Sequence, residues 1–133
     1  MGALFRAEQI LEKKSALFSV VVAGVVGILA VPVILPHVFH GFHMAHILLH
    51  IGGITLAAFL TILSLIAYHR LRTNKLLITT FAFSIFVLAE VVTLIDATWP
   101  SLYDIGNLAL LEVGHLLMIA SLGLLAMGVF RND

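Results

Sequence analysis

Four apolar runs, each long enough to cross a bilayer, decide what this chain can fold into. They cover residues 16–35, 44–68, 76–95 and 108–130, and a helix spans the hydrocarbon with roughly 20 residues at 1.5 Å each. Pro36 ends the first run. HRLRTNK separates the second from the third, and DATWPSLYDIGN separates the third from the fourth. Connectors this short make consecutive helices antiparallel neighbours. The expected fold is all-α: a four-transmembrane-helix bundle in a single membrane domain over residues 1–133, with no internal repeat.

Composition supports this. The chain is 62% hydrophobic and 11% charged, with a mean hydropathy of +1.17; a soluble domain so composed would have too little polar surface to face water. The absence of cysteine excludes disulfides, thiolate metal sites and CxxC redox chemistry. Nothing resembles a nucleic-acid footprint, so the expected partners are the lipid bilayer and other membrane subunits. Glu8 and Glu12 lie where a signal peptide avoids acidic residues, and MGALFR lacks the Ser or Thr of a myristoylation signal; neither processing is expected.

The basic residues are sorted to one side. Arg6, Lys13 and Lys14 precede the first run, Arg70, Arg72 and Lys75 lie between the second and third, and Arg131 follows the fourth. The positive-inside rule then makes both the N- and C-termini cytoplasmic in a multi-pass cell-membrane protein. Loops 36–43 and 96–107 face outward, with Trp99 and Tyr103 as interfacial aromatics. Residues Ala3 to Lys14 alternate apolar and charged groups, as in a short helix on the inner surface or a frayed tail.

Against this apolar background the ionisable residues stand out. HVFHGFHMAHILLH, residues 37–50, holds five of the seven histidines. Counted along their helices, His50, Glu90, Glu112 and His115 all fall roughly 7 to 12 Å below the outer surface, with His46 about one turn above His50. His43, His46 and His50 share a helix face that continues as Gly53, Ala57, Thr61 and Ser64. Small, weakly polar residues mark the packed face of a membrane helix, so these imidazoles are expected to point into the bundle. Glu112 and His115, spaced i, i+3, also share a face. The first span carries no ionisable group and reads as packing material or a docking surface.

A carboxylate in hydrocarbon is costly unless it has a partner, and a divalent cation supplies one. Imidazole and carboxylate are standard ligands for zinc, copper and iron. Glu112-x-x-His115 with Glu90 on another helix repeats part of the carboxylate-bridged pattern of four-helix bundles. Only one ExxH is present, so a mononuclear or His-rich site fits better than a di-iron centre. The expected ligands are His46, His50, Glu90, Glu112 and His115, and the expected ion is copper or zinc.

Three other readings of the same groups stay open. They can form a hydrogen-bonded lock between helices. His50 and His115 can be the axial ligands of a haem b, although two carboxylates at that level are unusual for a haem slot. They can belong to a proton relay, whose inner half would have only Thr61 and Ser64, or Ser121. His37, His40 and His43 read as solvated loop residues, His69 as interfacial, Asp96 as a helix-end group and Met118 as core. Ser84, Ser101 and Ser121 have no base at suitable spacing, so no catalytic residue is assigned. An enzyme acting alone would need the metal as its catalyst.

LLITTFAFSIFVLAEVVTLID (residues 76–96) and LLEVGHLLMIASLGLLAMGVFR (residues 110–131) resemble segments of small archaeal four-span membrane proteins. Some of these accompany copper-dependent membrane monooxygenases of the ammonia-oxidising type as accessory chains. The resemblance extends over residues 45–131 and consists of a basic inner loop, a Glu late in the third span and polar groups early in the fourth. Glu112-Val-Gly-His115 is one residue tighter than the family's looser spacing. It implies that the chain is a non-catalytic subunit of a larger membrane oxidoreductase, and it carries over no catalytic residue.

Overall fold

The computed structural model describes residues 2–39, 41–99, 104–105 and 108–131. Helix α1 (Gly2–Leu29) runs through a π-helical turn (Ala30–Ile34) into the short α2 (Leu35–His37). Then come α3 (Gly41–Leu71), α4 (Asn74–Thr98) and α5 (Leu110–Phe130). Two-residue strands β1 (Asp104–Ile105) and β2 (Leu108–Ala109) pair antiparallel just before α5. Four segments are long and apolar enough to cross a membrane: Lys13–His37, His43–Leu71, Asn74–Thr98 and Leu110–Phe130. The protein is thus an all-helical membrane bundle of four spans. The last span starts at Leu110, after the extended pair Leu108–Ala109. Residues Ala3 to Lys14 continue α1 without a break instead of forming a separate surface helix. Tyr103 and His40 lie outside the described residues.

Local chemistry explains the irregular points. Pro32 has no N–H, and its ring crowds the carbonyl four residues earlier. The helix widens around it, and the Leu35 N–H bonds to Ala30 O, five residues back. Between α3 and α4 only Arg72 and Thr73 reverse the chain. Arg72 takes a left-handed conformation, φ 53°, and its N–H donates to Tyr68 O at 2.8 Å. Its guanidinium lies 5.8 Å from the Tyr68 ring centroid, a cation–π contact that offsets part of the cost of a left-handed non-glycine residue. Thr73 is extended and caps α4, its hydroxyl accepting from Leu76 N–H.

The spans pack in chain order: α1 on α3, α3 on α4, α4 on α5. The central pair α3 and α4 is therefore the most buried, and only 6% of the first span's membrane-length window is buried, against 33% for each of the central two. Val33, Ile47, Ile51, Ile54 and Leu94 form the apolar core where α1, α3 and α4 meet. The α4–α5 seam is built differently, from small groups. Gly114, Ser121 and Gly128 repeat every seventh residue along α5 and are buried against Thr93, Ala82 and Thr79 of α4. Lipid offers apolar side chains as good an environment as a neighbouring helix does, so close backbone approach and interhelical hydrogen bonds hold such a seam. The Ser121 hydroxyl donates to Ala82 O at 2.8 Å. Other hydroxyls, such as those of Thr55, Thr80 and Thr98, donate to the carbonyl one turn back in their own helix. Among the described residues no buried side-chain polar atom lacks a partner.

Candidate metal site

One interhelical polar cluster joins the central pair. Glu90 projects from α4 and is buried. His50 projects from α3 and is half-buried. His50 Nδ1 lies 2.8 Å from Glu90 Oε2 and 3.3 Å from Thr93 Oγ1. The Thr93 hydroxyl is 3.1 Å from both Ala89 O and Glu90 O, to which it donates, which leaves its lone pairs facing the imidazole. Nδ1 is therefore the protonated nitrogen of His50, shared between a carboxylate and a hydroxyl, an assignment that follows from the network. That leaves the Nε2 lone pair of His50 pointing at His46 Nε2, 3.3 Å away on the next turn up. The two rings meet edge to face, centroids 4.7 Å apart. His46 is exposed, so this pair of nitrogens opens to the protein surface.

Glycine makes the cluster possible. A Cβ on Gly53 would sit 2.7 Å from Glu90 Cδ, closer than real atoms approach. Gly53 follows His50 by three residues and lies on the same side of α3. The bare backbone at this point lets the carboxyl group lie flat against α3 and reach the imidazole. Thr93 was not singled out by the sequence; its signal is its place three residues after Glu90, on the same face of α4.

Of the five residues expected to meet, the structure brings His46, His50 and Glu90 together. Glu112 and His115 stand apart, exposed on α5. Glu112 accepts a hydrogen bond from the Ala109 N–H at 3.2 Å, capping its own helix. The reason is rotational. Gly114, Ser121 and Gly128 turn towards α4, and Glu112 lies about 200° from Gly114 round the helix. Among the described residues, no group of three or more His, Asp and Glu side chains gathers where one metal ion could be held.

A second imidazole pair lies nearer the end of α3. The His37 and His43 rings are 5.2 Å apart, and His37 Nδ1 donates to Val33 O at 2.8 Å. In the neutral ring that bond leaves Nε2 of His37 as an acceptor.

No family model, no curated protein and no solved structure matches this chain. Its functional reading therefore rests on its side-chain geometry.

Proposed function

We propose that this integral membrane protein binds a divalent transition-metal ion, copper or zinc, between Nε2 of His46 and Nε2 of His50. The observation that carries the reading is the 3.3 Å separation of those two atoms. Two nitrogens that are each about 2.0–2.1 Å from a tetrahedral ion lie roughly 3.3–3.4 Å apart. The bite is set before any ion arrives, and an ion would take the place of the proton now shared between the two rings. Glu90 supports this role from behind. Metal-binding histidines usually donate their other N–H to a carboxylate, which fixes the tautomer and raises the basicity of the ligating nitrogen. Glu90 is thus a positioning residue in this proposal, and Thr93 steadies the same proton.

Two imidazoles leave further coordination positions to water or to a donor from another chain. The positive-inside rule places the site towards the extracytoplasmic face. The exposed faces of α1 and α5 leave room for partner subunits, with Glu112 and His115 as polar contacts on one of them. An accessory chain in a larger membrane assembly, such as a membrane oxidoreductase, fits these features. Haem b between His50 and His115 suits the geometry less well, because His115 is exposed on α5 while His50 is half-buried against Glu90 and Thr93 of α4.

X-ray absorption of the copper- or zinc-loaded protein tests the proposal. The expected spectrum has nitrogen neighbours at about 2.0 Å and the outer-shell scattering of two imidazoles. An identical spectrum from the His50→Ala variant would overturn it.

A further inference from the structure

At the opposite end of α3, about 30 Å from His50 at 1.5 Å per residue, α1 and α3 leave a cleft between them. Lys13 and Lys14 of α1 and Arg70 of α3 stand over it, all exposed. Among the described residues Leu17, Leu63 and Ile66 form the rest of its lining, and its volume is about 300 Å³. It adjoins a second hollow of about 620 Å³, which shares Lys14, Leu63, Ile66 and Arg70 and extends along Leu60 to Phe83 of α4.

Two features of this cleft point to one kind of ligand. Three cations are concentrated at its mouth, and among the described residues no carboxylate lines either hollow. Among the described residues none of the three makes a salt bridge, and three cations at one mouth attract an anion. Below them the described walls are aliphatic and aromatic apart from Ser64, and run along the helices into the membrane-spanning part. A free inorganic anion would satisfy the cations and leave those walls unused. We infer that the cleft binds one anionic phospholipid, its phosphate held by Lys13, Lys14 and Arg70 and an acyl chain lying along Leu60, Leu63 and Phe83. Basic pockets between spans on the cytoplasmic side suit such headgroups, and all seven Lys and Arg residues of this chain lie at that end.

Native mass spectrometry of the full chain, released from micelles doped with phosphatidylglycerol or phosphatidylcholine, tests this. One retained phosphatidylglycerol per chain is expected, with little retained phosphatidylcholine. The triple variant Lys13→Gln, Lys14→Gln, Arg70→Gln is expected to lower phosphatidylglycerol retention at least about tenfold, each surface cation contributing roughly fivefold. A charge-matched triple, Arg72→Gln, Lys75→Gln, Arg131→Gln, should retain it. Equal loss in both triples would show a diffuse surface attraction and overturn the proposal, as would equal retention of the two lipids. Glycerol 3-phosphate, the headgroup chemistry without chains, should fail to displace the lipid. Displacement by it at comparable concentration would mean that the cleft takes a soluble phosphate, and would also overturn the proposal.

Discussion

The carboxyl group of Glu90 rests on the bare Cα of Gly53 while its Oε2 accepts the Nδ1 proton of His50, so that the side chain that orients the imidazole is itself positioned by a missing methyl group. A Gly53→Ala substitution adds that methyl and improves intrinsic helix propensity by about 1 kcal/mol. Its damage should therefore appear in the site and not in the helix. Metal affinity is expected to fall at least about tenfold, with helix content unchanged by circular dichroism. Unaltered affinity in a competition titration would show that the Glu90–His50 contact does not support ligation.

Glu90→Gln keeps the reach of the side chain and an acceptor oxygen, but removes the charge. Loss of a carboxylate behind a ligating histidine typically costs 10- to 100-fold in metal affinity, and we expect a loss of about tenfold here because the amide oxygen still accepts. If Glu90 and His50 only lock α3 to α4, the variant should lower stability and leave metal binding equal to wild type. Parallel measurements of affinity and of reversible unfolding in mixed micelles separate the two outcomes.

Gly114 brings α5 close against α4. A Cβ there would collide with Thr93 Cγ2. Thr93 is buried and its hydroxyl is engaged with backbone carbonyls and His50, so it cannot rotate away. Gly114→Ala is expected to destabilise the fold by about 1–3 kcal/mol, the usual cost of overpacking. Gly123→Ala, on the same helix with nothing within 4 Å of the added methyl, should be neutral or slightly stabilising. Equal effects in micelle unfolding would contradict the α4–α5 seam described here.

Ser121 donates across that seam to Ala82 O. Interhelical hydrogen bonds in membranes average about 0.6 kcal/mol, so Ser121→Ala should cost that order and no more. A loss of several kcal/mol would mean that the hydroxyl belongs to a larger polar network than the one seen.

The four spans, the turn at residues 69–75 and the meeting of His50 with Glu90 were legible in the sequence. Span length follows from hydropathy, and helical rise alone puts His50 and Glu90 at one depth. The rotation of α5 is harder to see in the sequence, although its signal is present. The i, i+3 spacing of Glu112 and His115 puts them on a common face but does not say which way that face points. The heptad repeat of Gly114, Ser121 and Gly128 does, because small residues mark the packed side. The π turn at Pro32 and the closeness of Glu90 to Gly53 depend on three-dimensional approach, and residue type alone does not specify them.

The central claim is that His46 and His50 together hold an ion, and metal stoichiometry tests it most directly. Wild-type protein and the variants His46→Ala, His50→Ala and His115→Ala would be purified, loaded with copper or zinc, desalted and assayed by elemental analysis. The account predicts one ion per chain in wild type and in His115→Ala, and little or none in His46→Ala and His50→Ala. Equal metal content in wild type, His46→Ala and His50→Ala would contradict it.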